Sequence, residues 1–221
     1  MNQEINRYRF LDIGGGAEWE NNEINQVSLE DDINSLRAVK LAKENPDKEY
    51  IVFDQFIPTN PITRKANETP NLHFVKGETE YLPFDDASID RVEMNHMYAP
   101  LSMGEDKIRY SEVPDDVTPY LNTLKEACRV LKPDGVLALT EKQERFHRIH
   151  RLLPSRMKRL GLNYKPQANK IVTDPNRTIW TGIAMTQKKE FEEKGDVNGA
   201  DNYTVFTLEL RKNYGCSTQK P

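Results

Sequence analysis

The fold is decided near the start of the chain by the stretch Arg9-Phe10-Leu11-Asp12-Ile13-Gly14-Gly15-Gly16. A short apolar run carries an acid near its end and then enters three glycines. Glycine has no Cβ, so the backbone can turn there with a positive φ and a ligand can approach it closely. A strand that feeds a glycine turn is how α/β proteins hold nucleotide-like cofactors. An ordinary turn uses the same residues, so the prediction depends on segments further along the chain.

A second apolar run ends in an acid at residues 49–54, where the sequence reads EYIVFD. An acid at the carboxyl end of the strand that follows the glycine turn can accept hydrogen bonds from both hydroxyls of a ribose. Asp54 is therefore a candidate ligand for a nucleoside. The alternative is that Asp54 only begins the turn that leads to Pro58.

Two longer motifs follow, GETEYLPF at residues 77–84 and LKEACRVLKPDG at residues 124–135, the second of which enters the apolar run 136–139. In this order, the four segments resemble the class I S-adenosylmethionine-dependent methyltransferases. Those enzymes carry a glycine turn, an acid after the second strand, a "GDAexLPF" loop and a helix that closes in "RVLKPGG". The resemblance covers residues 7–141, and the last two motifs are its most specific part.

Predicted strands and helices alternate along the chain, which indicates an α/β fold with a mostly parallel sheet. The predicted strands are 8–13, 50–53, 72–75, 88–94 and 136–139, and the predicted helices run from 29–31 to 44 and from 116 to 131. A loop that contains Pro58, Pro61 and Pro70 is predicted before the third strand, and a turn is predicted at residues 132–135. The resemblance implies a Rossmann-like sheet that ends in an antiparallel hairpin, for which 178–186 and 203–210 are the candidates. Residues 1–221 are predicted to form a single domain, with a lid or insertion at 97–116 and a basic segment at 145–170.

Composition narrows the class of protein. With 221 residues, the chain is long enough to bury a core, and a mean hydropathy of −0.77 with 30% charged residues predicts a well-solvated surface. The sequence has no apolar run long enough to span a membrane, and residues 5–8 lead into the first strand rather than forming a signal peptide. Cys128 and Cys216 predict neither a disulfide nor a metal site, so the expected location is a reducing cytoplasm.

The resemblance implies S-adenosylmethionine as cofactor and assigns residues to it. Asp54 would take the ribose hydroxyls, Glu78 would accept from the adenine amino group, and Thr79 would lie beside the ring. The amino-acid end of the cofactor would lie along the first glycine turn, and Asn95 would face its methionyl part. The full set of cofactor positions is Asp12, Gly14, Gly15, Gly16, Asp54, Glu78, Thr79 and Asn95.

Methyl transfer from a sulfonium is a direct displacement, so the protein mainly supplies position and a dry environment. This explains why the sequence shows a cofactor site more clearly than a set of catalytic groups. His96 is the only histidine near the expected site and is the candidate to bind substrate or accept a proton. The alternative is a histidine that hydrogen-bonds a neighbouring loop.

The fourth predicted strand has charged residues where a central parallel strand is usually apolar on both faces. Arg91 and Glu93 lie two residues apart and therefore share a face. We expect either a local charge pair or thin cover of the sheet at this point, in preference to a catalytic role for Glu93.

The segment Arg145–Lys170 contains ten arginine, lysine or histidine residues and no acid. Such a run can neutralise phosphates of a nucleic acid, contact an acidic partner or anionic lipid headgroups, or form a solvated helix face. The formal net charge of −4 argues mildly against general nucleic-acid binding.

Two classes of function remain open. The first is a methyltransferase acting on a small molecule, with RNA methylation through Arg145–Lys170 as a variant. The second is a non-catalytic protein of the same fold that acts as the partner of another protein, because residues 17–22 look like a loop where the family has a helix and Glu78 replaces an Asp. Homo-oligomers are compatible with either. A nicotinamide-dependent dehydrogenase is disfavoured, since the glycine spacing is not GxGxxG.

Overall fold

The computed structural model describes residues 7–14, 37–55, 57, 61–95, 118–142, 193 and 205–212. The strands are β1 (Tyr8–Ile13), β2 (Lys48–Asp54), β3 (Leu72–Lys76), β4 (Ile89–Asn95), β5 (Leu131–Lys142) and β6 (Val205–Arg211). They form one sheet with the order β3-β2-β1-β4-β5-β6. The helices are α1 (Arg37–Glu44), α2 (Pro61–Ala66) and α3 (Thr118–Val130).

The first five strands pair in parallel, and β6 pairs antiparallel to β5. The predicted α/β fold is therefore confirmed, including an antiparallel strand at the end of the sheet. The partner proposed for a terminal hairpin, 178–186, lies outside the described residues. Because β1 pairs with both β2 and β4, the strand order reverses at the carboxyl end of β1, which is where open α/β sheets bind ligands.

Each face of the sheet has its own apolar core, because successive residues of a strand point to opposite faces. Leu11 and Ile13 of β1 pack with the buried face of α3, which includes Leu124 and Ala127. Phe10 of β1 belongs to the second cluster, which lies on the α1 side. The other buried members of that cluster are Ala38, Val39, Ala42, Tyr50, Val52, Ala66 and Leu72.

Two elements differ from the prediction. Residues 55–71 were expected to be a loop because of their prolines, but Pro61 begins the short helix α2. Proline is well tolerated at the first position of a helix, where its missing N–H would have no partner within the helix. Strand β5 also begins earlier than expected, since Leu131 pairs with Ile89 before the register shifts at Arg91.

The turn predicted at residues 132–135 is an irregularity inside β5. Asp134 has a φ of 64°, and a Cβ on Gly135 would lie 2.9 Å from the Lys132 carbonyl oxygen. Only glycine fits there without displacing the backbone. The amide of Asp134 donates to the Lys212 carbonyl at 2.9 Å, so β6 holds this irregular segment in place.

The predicted charge pair on the fourth strand is confirmed. Arg91 Nη2 lies 2.8 Å from Glu93 Oε1, and the Glu93 side chain is 1% exposed, which rules out thin cover of the sheet at this point. The pair extends to Glu209 of β6, whose Oε1 lies 2.9 Å from Arg91 Nη1. Among the described residues, none of the helices is long and apolar enough to cross a membrane.

Candidate active site

The candidate site lies where β1, β2 and β3 end. Gly14 follows β1 with a φ of 84°, and its amide donates to the Phe53 carbonyl of β2 at 2.9 Å. The amide of Gly77, which follows β3, donates to the Asp54 carbonyl at 3.0 Å. These two hydrogen bonds hold the ends of three neighbouring strands together at the edge where the sequence placed the cofactor. Gly15 and Gly16 lie outside the described residues.

The carboxylates assigned to the cofactor differ in exposure. Asp12 is 2% exposed and lies in register with Val52 of β2 and Glu93 of β4. Asp54 is half-buried at the last position of β2, and Glu78 is exposed just beyond the end of β3. The two carboxylates meant for the nucleoside are thus on neighbouring connections, and each has an accessible part.

The substrate side of the site is described less fully. Asn95 is the last residue of β4 and pairs in register with Thr140 of β5. It therefore lies at the same edge of the sheet as Gly14. His96 and the lid or insertion proposed at 97–116 lie outside the described residues, as does the basic segment 145–170.

The segment between β3 and β4, residues 77–88, is fixed to helix α3 by the Arg129 guanidinium. Its Nη2 donates to the Leu82 carbonyl at 2.9 Å, and its Nη1 donates to the Phe84 carbonyl at 2.8 Å. The same Nη1 lies 2.7 Å from Asp86 Oδ1. Since a guanidinium has five donors in a rigid plane, one side chain can hold several carbonyl groups of a loop.

Glu126 completes this arrangement from the preceding turn of α3. It accepts from Arg129 Nε at 2.9 Å and Nη2 at 2.8 Å, and its Oε2 accepts from the Leu82 amide at 3.1 Å. These hydrogen bonds from Glu126 are the main reason that the pKa of Arg129 is raised above its ordinary value. The LPF motif and the RVLKPDG motif, which carry the resemblance, are therefore in direct contact.

Two further contacts link the beginning of the same segment to α3. The hydroxyls of Thr79 and Thr123 lie 2.9 Å apart in the interior, and Asn122 Nδ2 donates to Glu80 Oε1 at 2.6 Å. Thr79 is 7% exposed, and its hydroxyl is engaged with the helix. The predicted contact of Thr79 with an adenine ring would therefore be made by its backbone or its side-chain oxygen, because its hydroxyl group is already hydrogen-bonded to the helix.

Gly77 has no room for a side chain. A Cβ at this position would lie 2.7 Å from Cζ of Phe53, a fully buried ring at the end of β2. A glycine is therefore required for β3 to turn close to β2 and keep Glu78 near Asp54. The sequence suggested glycine turns in general, but it did not identify this contact, because Phe53 and Gly77 are far apart in the chain.

The chemistry of this edge suits a ligand that carries hydrogen-bond donors. Asp54 and Glu78 are carboxylates and can only accept when ionised. A ribose diol and the amino group of adenine supply donors of the required kind, so the residues present fit a nucleoside cofactor such as S-adenosylmethionine. Sequence reasoning missed three positions that support the site by holding the segment 77–88, namely Thr123, Glu126 and Arg129. Only the spacing of Glu126 and Arg129 on a helix signalled an interaction beforehand.

Comparison with known protein families agrees with the resemblance to methyltransferases. The family described as "Methyltransferase domain" matches residues 35–139. Comparison with curated protein sequences finds no match to this chain.

Solved structures are similar to this chain at low sequence identity. A chain of the Haloferax volcanii complex that contains the Trm112 methyltransferase activator is 17% identical, with a TM-score of 0.50, and the match covers 94% of this chain and 82% of that one. An S-adenosylmethionine-dependent methyltransferase from Aquifex aeolicus is 15% identical, with a TM-score of 0.47 and coverage of 92% and 81%. An N-methyltransferase of Haemonchus contortus, solved with phosphomonomethylethanolamine and S-adenosylhomocysteine, is 13% identical, with a TM-score of 0.49 and coverage of 94% and 49%.

Proposed function

We propose that this chain, whose residues 35–139 match the family described as "Methyltransferase domain", transfers a methyl group from S-adenosylmethionine to a small-molecule acceptor. The observation that carries this proposal is the paired placement of Asp54 and Glu78. The hydrogen bond from the Gly77 amide to the Asp54 carbonyl, 3.0 Å long, holds the two connections side by side. Asp54 ends β2 and Glu78 follows β3, so both carboxylates belong to the same edge of the sheet, where one nucleoside could contact them with its ribose and its base.

S-adenosylmethionine, when bound, supplies a methyl group on a positively charged sulfur; a nucleophile attacks the methyl carbon directly and the sulfur leaves as a neutral thioether. The residues of this chain have the task of orienting it. Asp54 accepts from the ribose hydroxyls, Glu78 accepts from the amino group of the base, and the turn at Gly14 leaves space for the amino-acid end. His96, which directly follows β4, is the proposed group for binding the acceptor or taking its proton.

The second candidate function is one that depends on a protein partner. One similar chain was solved in a complex with a methyltransferase activator. A partner could complete the site or use this fold as a non-catalytic subunit. RNA remains the alternative acceptor, and its support is the acid-free segment Arg145–Lys170.

The first experiment is a calorimetric titration of the purified protein with S-adenosylmethionine and S-adenosylhomocysteine. Asp54→Ala should weaken binding on the order of ten- to a hundredfold, since a half-buried acceptor for the ribose hydroxyls is lost. The matched control is Asp47→Ala, which removes an exposed aspartate at the opposite end of β2. Equal affinity of the two variants would contradict the assignment of Asp54.

Turnover is the next test, with methyl transfer followed across a panel of small amines, carboxylates and thiols and with unmodified RNA. Production of S-adenosylhomocysteine with a small molecule supports the proposed acceptor class. Turnover with RNA alone would replace it. Tight binding without turnover on any acceptor would favour the non-catalytic alternative, and no binding by the wild-type protein would contradict the proposal.

A further inference from the structure

One face of helix α3 supports the segment that carries Glu78. Thr123, Glu126 and Arg129 are spaced three residues apart, so they lie on the same side of the helix. Thr123 contacts Thr79, Glu126 accepts from the Leu82 amide, and Arg129 donates to the Leu82 and Phe84 carbonyls. The helix thus contacts the segment at its beginning, middle and end, and Thr123 is the contact nearest to Glu78.

The direction of the hydrogen bonds at Thr123 can be worked out. Its Oγ1 lies 3.0 Å from the Pro119 carbonyl oxygen and 2.9 Å from Thr79 Oγ1. A hydroxyl has a single hydrogen and a carbonyl can only accept, so Thr123 donates to Pro119. Thr79 must therefore donate to Thr123. The Thr79 oxygen keeps only its acceptor lone pairs for other groups.

Glu78 is consequently fixed from both sides along the chain. Before it, the Gly77 amide donates to the Asp54 carbonyl at 3.0 Å, and after it, the Thr79 side chain is held by Thr123. The Glu78 carbonyl itself accepts from the Tyr81 amide at 3.0 Å. One hydrogen bond therefore holds the backbone of this exposed glutamate directly and two hold its neighbours in the chain, while its carboxylate remains accessible.

We propose that Thr123 is a positioning residue for cofactor recognition. Through Thr79 it holds the Glu78 carboxylate where it accepts from the 6-amino group of a purine and discriminates against a 6-oxo purine. This inference rests on the proposed function. Thr123 is fully buried in the helix interface and touches no ligand itself, so its effect passes through the segment that it holds.

The test compares the affinity of S-adenosylhomocysteine with that of S-inosylhomocysteine, in which the 6-amino donor is replaced by an oxygen. A site that presents acceptors to a donor rejects an analogue that lacks it. Wild-type protein should prefer the adenosine ligand by at least about tenfold. A loosened Glu78 can shift toward the N1–H of the oxo base, so Thr123→Val should reduce this preference at least about threefold.

Thr123→Ser keeps the hydroxyl and should retain the wild-type preference. The control is Lys132→Met, which removes the 2.9 Å ion pair with Asp90 on the β4–β5 side of the sheet. This variant loses an ion pair with a residue outside the segment 77–88, so its ligand preference should equal that of the wild type. A preference ratio is insensitive to a uniform loss of folded protein, which separates positioning from stability.

If folded Thr123→Val prefers S-adenosylhomocysteine over S-inosylhomocysteine as strongly as the wild type does, the role of Thr123 is overturned, while the proposed function is left intact. Should Thr123→Val fail to fold, Thr79→Val removes the same hydrogen bond from the other partner, and an unchanged ratio in that variant would equally overturn the inference. Failure of the wild-type protein to bind S-adenosylhomocysteine would overturn the proposed function, and the inference would fall with it.

Discussion

Arg91 of β4 and Glu209 of β6 form an ion pair across β5, with 2.9 Å between Nη1 and Oε1. Ala138 of β5 lies in register with Glu93 on one side and Glu209 on the other. Residues in register share a face of the sheet, so the small Ala138 leaves space for the arginine to reach over the intervening strand. This ion pair joins β6 to β4, although Arg91 and Glu209 are 118 residues apart in the sequence.

Burial lowers the pKa of Arg91, but the charge of Glu93 and the hydrogen bond to Glu209 outweigh this effect and raise the pKa above its ordinary value. Arg91→Met would leave two largely buried carboxylates without this cation, and we expect it to lower the free energy of unfolding by about 3–5 kcal/mol. Glu209→Gln should cost less, about 1–2 kcal/mol, because Arg91 keeps Glu93. Urea unfolding measures both changes.

Lys40→Met is the control for these charge variants, since its partner Glu44 is 3.8 Å away and both side chains are more than half exposed. Exposed pairs within one helix contribute little, so its unfolding midpoint should be close to that of the wild type. A loss for Arg91→Met as small as that for Lys40→Met would show that the buried ion pair is not structurally important.

Arg129→Lys should loosen the segment 77–88 without unfolding the sheet. Lysine keeps the positive charge but cannot reproduce the planar set of donors that holds the Leu82 and Phe84 carbonyls. Each lost hydrogen bond to a charged group is worth about 1–3 kcal/mol, so the Leu82 amide should exchange with solvent at least about tenfold faster. Hydrogen exchange followed by mass spectrometry resolves this peptide.

The control for Arg129 is Arg211→Lys, which alters an exposed arginine of β6 in the same conservative way. Its exchange pattern around Leu82 should match the wild type. If amide exchange in Arg129→Lys is accelerated as much in β2 as around Leu82, the substitution destabilises the whole protein, which would contradict a local role.

Tyr50 makes stability depend on alkaline pH. Burial, followed by the negative charges near the ring, raises the pKa of Tyr50 to about 12 from 10.0. Between these two values the folded state keeps a proton that the unfolded chain has lost, so the free energy of unfolding falls as the pH rises. At pH 12 the loss amounts to about 2–3 kcal/mol relative to pH 9.

Tyr50→Phe should remove this part of the pH dependence. The pKa of Tyr8 is also raised by burial, and the charge of its phenolate is one of the causes that raise the pKa of Tyr50, so the difference between wild type and variant measures Tyr50 together with its coupling to Tyr8. Urea unfolding at several pH values from 9 to 12 provides the comparison. Parallel curves for the two proteins would show that Tyr50 ionises as easily in the folded state as in the unfolded chain.

The sequence predicted features that depend on neighbours along the chain. The bounds of β1 follow from one short apolar run that ends at glycine, and the Arg91–Glu93 pair follows from their two-residue spacing on a strand. Helix α2 was missed because prolines suggested a loop, although Pro61 is acceptable at a first helical position. The early start of β5 was missed because residues 132–135 look like a simple turn.

Contacts between distant segments were beyond sequence reasoning. Arg129 lies 45 residues from Phe84 and 47 from Leu82, and local spacing does not show which carbonyls its guanidinium will reach. The resemblance supplied both motifs, but not the fact that they touch. Asp54 could be proposed because it ends the apolar run that follows the glycine turn, whereas Glu78 was assigned only by the resemblance to the methyltransferases.

Gly77 and Phe53 provide a test of how closely the end of β3 must approach β2. Gly77→Ala places a methyl group 2.7 Å from Phe53 Cζ, and such overpacking typically costs about 1–3 kcal/mol. Phe53→Leu alone leaves a cavity and should also destabilise the protein. The double variant should be more stable than the sum of the two losses implies, because the smaller leucine yields the space that alanine needs.

Urea unfolding of the four proteins gives the coupling free energy, which we expect to be favourable by about 0.5–3 kcal/mol. Gly77→Ala should also weaken S-adenosylhomocysteine binding, since the displaced turn carries Glu78 away from Asp54, and the double variant should recover part of that affinity. Strict additivity in stability together with unchanged affinity would mean that the turn has room to move. In that case the close approach of Gly77 to Phe53 would not be what places the two carboxylates side by side.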